Sequence, residues 1–545
     1  MLRFHAEDFT AKLPWFYHGV EFGAPQESDV FNFEVNGLDL PERRYAVTLV
    51  LSEPRECLAL SHDGIHFIDT PARDRTIPLA PMDVSARRLS LFFRGDTPEA
   101  PTPVSEVHLH PLQTSLSDAA SGPLFTDYVR DIGADESEAL RRWDELWPML
   151  AECDLDTRHL FEMRRALTGW AERRQVRDES DPHFGAVYSE EDKYDFRDAA
   201  AAAVAFARIW QGTGDPDWHD RAVDARRYVY AGQHTDGERR GGWAHMVSGE
   251  WGGDHQVDFR RITDPLPPVD GVDTAIIINL LCTAIEAGLE PDGEDIRRLR
   301  MGAEWIERSE LRPGVFAHHE GATHDCQNSN ALAAMALSRA YNTLAAEGAD
   351  PPGAWLEAAH RGFEHYLEGQ EAIGVWPYTF AEIGRGQRFG EQNVPDQGMG
   401  LYHFLVAAEA LGLAHRSDVR AALKRAARWY LCTSRIDGGG PAPTIDLQYQ
   451  QEGGGLLFSS FTWCRFMAAA ALLRISRITD EKEPWRALAL RLMEHVRAKL
   501  WNADDREGAP VVASCRPDIK LHSWIAAAEW EAVLLHEMIE GLRQL

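Results

Sequence analysis

The chain has 545 residues, 44% hydrophobic and 10% aromatic, a globular composition too long for one ordinary core. Its 56 basic and 86 acidic residues give a net charge of −30, which excludes nucleic acid as a partner because phosphate binding needs a basic face. No apolar run reaches the roughly 18 residues of a membrane span, and the start, Met1-Leu2-Arg3-Phe4-His5-Ala6-Glu7-Asp8, has neither the basic nor the apolar segment of a secretory signal. No membrane partner and a cytoplasmic location are therefore expected. Seven cysteines without a CxxC pair read as reduced thiols, in keeping with that compartment.

In chain order, short strand-like runs come first: Tyr45 to Leu51, Cys57 to Leu60, Leu89 to Phe93 and Val104 to Leu109, separated by turn chemistry such as Asp63-Gly64 and Arg94-Gly95-Asp96. Residues 1–115 are expected to form a small antiparallel β-sandwich, an accessory domain. From 116 to 545 the chain reads as helices. Glu136 to Leu150 and Asp156 to Arg174 lead. Arg197 to Trp210 is followed by Trp218 to Tyr230, Val272 to Ala287 by Glu294 to Ser309, and Asn330 to Leu344 by Trp355 to Leu367. Gln397 to Leu411 is followed by Asp418 to Cys432, and Phe461 to Ile475 by Pro484 to Leu500; Ser523 to Leu542 closes the chain. In most pairs the first helix is apolar nearly all round, as in Ala199 to Phe206, and the second alternates charge with apolar residues. The first kind is buried and the second half exposed, so inner and outer rings follow.

A loop recurs in front of the inner helices: Gly242-Trp243-Ala244-His245, Gly314-Val315-Phe316-Ala317-His318 and Gly374-Val375-Trp376-Pro377-Tyr378. A period of roughly 60 to 70 residues, two helices and a loop, is a unit that cannot bury its apolar face alone. The predicted architecture is mainly α: a toroid of about six or seven helical hairpins behind the β-sandwich, presenting these loops at one mouth. Alternating inner and outer helices with Gly-aromatic loops resemble the (α/α) toroids, or six-hairpin folds, of carbohydrate-active enzymes, among them polysaccharide lyases, glucuronyl epimerases and glycoside hydrolases. The resemblance is architectural, covers roughly residues 120–545 and implies a saccharide substrate bound at the mouth.

Four clusters carry the candidate chemistry. The first, Trp251 to Arg260 leading to Asp270-Gly271-Val272-Asp273, offers Asp254, His255 and Arg260 to a substrate, beside Trp243 and His245; Asp270 and Asp273 also suit a helix start. The second holds His318, His319, His324, Asp325, Cys326, Gln327 and Asn328, with His318, Asn328 and Asp325 as catalytic candidates. His318, His324 and Cys326 could hold a divalent cation, but their spacing matches no strong metal pattern, so no cofactor is expected. The third places Trp376 to stack on a sugar and Tyr378 to move a proton, with Arg388, Asp396, Tyr402 and His403 following. The fourth joins Glu452 to three glycines and Trp463.

Two chemistries fit this set. Lyase or epimerase action on a uronate-containing poly- or oligosaccharide needs a base, an acid and neutral or cationic donors, which Tyr378, His318, His403, Asn328 and Arg388 supply by type. Glycoside hydrolysis needs two facing carboxylates, drawn from Asp254, Asp270, Asp325, Asp396 and Glu452. The repeated His, His and Tyr at one loop position favours proton abstraction. A non-catalytic glycan-binding toroid is the third reading.

Overall fold

The computed structural model describes the N-terminal strands and residues 155–187, 195–244, 269–322, 325–370, 394–437, 444–447, 462–480, 482–501 and 528–544, with 374, 376, 379 and 380. The early strands are β1 (Leu2–His5), β2 (Phe16–Tyr17), β3 (Val20–Glu21), β4 (Val30–Val35), β5 (Arg43–Leu51) and β6 (Cys57–Ser61). After them come β7 (Ile68–Pro71), β8 (Thr76–Pro78), β9 (Met82–Val84), β10 (Leu89–Arg94) and β11 (Val104–Pro111). Nine of them build two antiparallel sheets, one in the order β1-β11-β5-β8 with β9 also on β5, the other β4-β10-β6-β7, and β2 and β3 pair with each other. Leu49 and Leu51 of β5 are fully buried. Two such sheets are the pieces from which the expected sandwich would be assembled.

The rest is helical: α1 (Thr157–Arg174), α2 (Phe196–Thr213), α3 (Pro216–Ala231), α4 (Gly271–Glu286), α5 (Gly293–Arg308) and α6 (Gln327–Ala346). Then follow α7 (Gly353–Glu368), α8 (Val394–Ala410), α9 (Ser417–Thr433), α10 (Thr462–Thr479), α11 (Lys482–His495) and α12 (Ala528–Gln544). The even-numbered helices pack in succession, α2 on α4, α4 on α6, α6 on α8, α8 on α10, α10 on α12, and α12 returns to α2. That closes an inner ring of six. The odd-numbered helices pack outside it, α3 on α2, α5 and α7 on α6, and α9 and α11 on α10. The sixth hairpin joins the two ends of the helical region, because α1 packs on α12. The count of hairpins among the described residues is thus six, and the predicted helix Glu136 to Leu150 lies outside them.

Composition explains the two rings. In α4 every residue from Gly271 to Ala284 is buried, and so is the run Asp198 to Ala207 of α2. A helix apolar on all sides is stable only with neighbours all round, and each large side chain so buried contributes about 1.5–3 kcal/mol. Helix starts are set by the chain. Asp195 accepts from the Arg197 amide at 2.7 Å, Asp270 from the Asp273 amide at 2.9 Å, and Asp292 forms a capping box with Asp295 on α5.

The recurring loop proves to be a docking device. Gly241 has φ 100°, and a Cβ there would lie 1.9 Å from the Met301 carbonyl oxygen of α5. Gly374 has φ 97°, and a Cβ there would lie 2.4 Å from the Arg425 carbonyl oxygen of α9. Gly185 and Gly314 meet Asp224 of α3 and Arg361 of α7 in the same way. Only glycine lets a loop backbone touch the next outer helix this closely. A glutamine at the end of the preceding outer helix ties the same joint: Gln233 Nε2 donates to Gly241 O (2.8 Å) and Arg298 O (3.0 Å), Gln370 Nε2 to Gly374 O (3.0 Å) and Ala422 O (2.9 Å). The structural register of the repeat therefore starts at Gly241 rather than Gly242, which puts the aromatic two residues on in all three loops.

No helix among the described residues is long and apolar enough to cross a membrane.

Candidate active site at the mouth of the helical ring

Because each inner helix is followed by an outer one that returns the chain, the inner helices begin on one side of the ring, and their first turns form its mouth. The described polar residues there centre on Arg197. Its Nη1 lies 3.1 Å from Asp273 Oδ1 of α4, its Nη2 3.5 Å from Asp195 Oδ2 and its Nε 4.0 Å from Asp198 Oδ1. All three carboxylates are buried. Burial alone would lower the Arg197 pKa; Asp273, Asp195, Asp198 and Asp270 outweigh it and hold the guanidinium charged. The same guanidinium sits 5.5 Å above the Trp530 ring of α12, an aromatic–cation contact across the closing seam.

Trp530 in turn faces His403 of α8, ring centroids 6.3 Å apart, and His403 meets Tyr402 edge-on at 5.1 Å. Since α8 and α12 are separated in the ring by α10, the His403–Trp530 contact spans the lumen. Burial lowers the His403 pKa to about 3, against the raising effect of the Met399 carbonyl, so the imidazole is neutral at ordinary pH. Below this level the lumen is closed by charge. Tyr402 donates to Glu537 Oε1 at 2.7 Å, Arg474 of α10 binds Glu537 Oε2 at 2.8 Å and also pairs with Glu409 of α8. Arg339 of α6 binds Asn279 and Thr283 of α4, each at 3.1 Å, and pairs with Glu286. Burial would raise the Glu537 carboxyl, but Arg474, Tyr402 and Arg339 together bring it below its usual range. Burial, then the Glu537 charge, pushes the Tyr402 phenol well above its usual value.

The expected site residues divide on placement. His318 and His403 are both buried; the His318 carbonyl accepts from Gly271 N at 2.8 Å, which sets its loop against the start of α4. Asn328 is 3% exposed in the first turn of α6. Trp243 and Trp376, expected to meet sugar, are instead core wedges: Trp243 Nε1 donates to Val229 O at 2.8 Å, Trp376 Nε1 to Tyr366 O at 2.6 Å, and Trp376 stacks on Tyr366 at 4.6 Å. Neither has an exposed face for a ligand. Tyr402 is engaged with Glu537, as above.

Asp325 has a structural placement too. It is fully buried and accepts from Arg312 (3.1 Å), Gln327 (3.1 Å), Asn330 (2.8 Å) and His365 (2.7 Å), so it clamps the start of α6 to outer helix α7. Asn330 also receives the Phe316 amide at 2.9 Å, much as Thr274 of α4 receives the Trp243 amide at 2.9 Å. The Cys326 thiol donates to Asn328 Oδ1 at 2.8 Å. His245, Asp254, His255, Arg260, His324, Tyr378, Arg388 and Glu452 lie outside the described residues, as do the side chains of Asp396 and Trp463 in the first turns of α8 and α10. Among the described residues no group of His, Cys, Asp and Glu gathers as a metal site.

The sequence reading named Arg197 as the start of an inner helix, and it missed Trp530. A signal existed: an arginine in the first turn of an alanine-rich inner helix must find buried carboxylates, and Asp195, Asp198 and Asp273 each stand at a helix start.

No family model matches the sequence, and no curated protein matches it. Among solved structures, cellobiose 2-epimerase from Bacillus thermoamylovorans B4167 is similar over 70% of this chain and 98% of its own, at 11% identity and a TM-score of 0.49. A D-mannose isomerase is similar over 70% and 97%, at 12% identity and 0.49. An unsaturated glucuronyl hydrolase specific for heparin is similar over 71% and 98%, at 10% identity and 0.47. The helical ring of this chain stands on its own helix packing.

Proposed function

We propose that the protein is a carbohydrate-active enzyme whose active site is the mouth of the inner ring, and that it works by proton transfer at a sugar carbon next to a carboxyl or carbonyl group. Lyase or epimerase action on a uronate-containing poly- or oligosaccharide is the expected form. The observation that carries the reading is the set Arg197–Trp530–His403, in which a buried neutral imidazole and a fixed cation both lie against one aromatic ring inside a closed ring of helices. Neutral imidazole can accept or pass a proton without first losing one, and a dry site strengthens every charge interaction with a bound sugar. His318, on the loop that leads into α6 and packs against the start of α4, is the candidate base, and His403, in its neutral form, the candidate hydrogen-bond donor. Tyr378 keeps the role expected from the repeat.

Glycoside hydrolysis is the second reading, favoured by one observation: Asp198 and Asp273, on neighbouring inner helices, both approach the same Arg197. The N-terminal sheets, residues 1–115, are proposed as a separate accessory domain. The test is incubation with a panel of uronate and neutral saccharides. Ultraviolet absorbance of a conjugated uronate, or inversion at one carbon, supports proton transfer; new reducing ends without either would move the assignment to the carboxylates.

A further inference from the structure

The first turn of α6 differs from those of inner helices α2 and α4 in what it leaves open. Asp195 caps α2 and Asp270 caps α4, but Cys326 stands at the cap position of α6 and gives its amides no side-chain acceptor. One residue further on from that turn's start is Asn328, 3% exposed, whose Nδ2 has no hydrogen-bond partner. Its orientation is fixed from the other end. The Cys326 thiol donates to Asn328 Oδ1 at 2.8 Å and the Ser329 hydroxyl approaches the same oxygen at 3.5 Å, so Oδ1 is the acceptor atom and Nδ2 carries two free N–H groups. A buried, unpaired amide donor is costly and calls for a partner.

The face it stands on is known. Arg339 lies eleven residues after Asn328, about three turns, hence on the same side of α6. Asn330, two residues on from Asn328 and so roughly 200° round the helix, accepts the Phe316 amide and lies against Gly362 of outer helix α7, so the Asn328 side turns the other way, into the ring. Asn328 therefore stands on the lumen face roughly 16 Å nearer the mouth than the charged layer.

We propose that Asn328 Nδ2 and the uncapped first turn of α6 form the oxyanion site of the mouth, and that Cys326 is the positioning residue that aims the amide. The ligand class is the enolate or enediolate oxygen of a saccharide, so the inference rests on the proton-transfer reading above. When a base takes the proton from the sugar carbon, the C–H electron pair becomes the new C=C bond and the C=O pair moves onto oxygen. The amide N–H groups and the positive end of α6 hold that charge until a proton returns to carbon and the carbonyl re-forms.

The experiment compares wild type with Asn328→Leu, Cys326→Ala and Cys326→Ser, following loss of the sugar C–H resonance in D2O and the melting temperature without sugar. Asn328→Leu should slow the loss about 100-fold with little change in KM, while raising the melting temperature by roughly 2 °C, since an unpaired buried donor is gone. Cys326→Ala should slow it about 10-fold, and Cys326→Ser, which keeps a donor to Oδ1, should restore it. A lower melting temperature for Asn328→Leu, unchanged turnover in that variant, or no difference between the two Cys326 variants would each overturn the proposal. If wild type turns over no sugar, the proton-transfer reading fails separately. The site is then judged with aldonohydroxamates, planar enediolate mimics. A thermal shift in wild type that is absent in Asn328→Leu supports the oxyanion site, and equal or absent shifts in both overturn it.

Discussion

Tyr402 and Glu537 meet at 2.7 Å across the lumen, from α8 to α12, bypassing α10 that stands between them in the ring. Arg474 of α10 completes the junction by binding the other Glu537 oxygen and lying 5.5 Å over the Tyr402 ring. Three inner helices are thus tied at a single carboxylate, which makes the lumen below the mouth a solid floor.

Removing that carboxylate should be severe. Glu537→Ala leaves a buried guanidinium with Glu409 alone, and is expected to cost about 3–5 kcal/mol. Tyr402→Phe removes one hydrogen bond to a charged group, about 1.5–3 kcal/mol. Melting temperatures of the two variants check the order; equal losses would contradict it.

Acid should loosen the fold through histidine as well as carboxylate. Burial lowers His403 to about 3 and His536 to about 4, so the unfolded chain binds protons at these positions that the folded chain refuses. Stability from both is complete above their ordinary value of 6.5 and is lost as pH falls below it toward the folded values. Between about pH 4 and 6, His403→Gln is expected to reduce the pH slope of unfolding free energy by about one proton. An unchanged slope would show that His403 titrates normally in the fold.

The repeat loop gives a contrast between glycines. Gly241→Ala must push Cβ into the Met301 carbonyl, whereas at Gly237, with φ 64°, a Cβ would meet nothing within 4 Å. Gly237→Ala is expected to cost about 1–2 kcal/mol from backbone conformation alone, and Gly241→Ala clearly more. Comparable melting temperatures would contradict the docking role.

Asp325 separates structure from chemistry. Asp325→Ala removes the acceptor that Arg312 and His365 share and unclamps α6 from α7, with an expected cost of about 3 kcal/mol. Turnover per folded molecule should fall far less than in Asn328→Leu. Loss of turnover at unchanged stability would return Asp325 to the catalytic set.

Much of the ring was legible because inner and outer helices differ in how many of their faces are apolar. The observed Phe196–Thr213, Gly271–Glu286 and Gln327–Ala346 contain or nearly coincide with the runs read from composition. Closure was not legible: that α12 completes a hairpin with α1 depends on packing between residues nearly 400 positions apart. In the candidate site, His318, His403 and Asn328 were singled out by residue type alone, and their roles are those proposed above. Trp243 and Trp376 misled because an aromatic after a loop glycine can stack on sugar or wedge a helix joint, and only burial distinguishes the two. Asp325 misled for a related reason: a carboxylate beside histidine and amides looks catalytic until its four donors are counted.

The central claim is that a carbon-bound hydrogen of a saccharide is removed at the mouth of the ring. Proton NMR of a uronate and neutral saccharide panel, incubated with the protein in D2O, tests it most directly. The account predicts that the resonance of the C–H beside a carboxyl or carbonyl group disappears, through exchange or elimination, and that His318→Asn abolishes its loss. A glycosidic bond cleaved while every C–H resonance is retained would contradict the account.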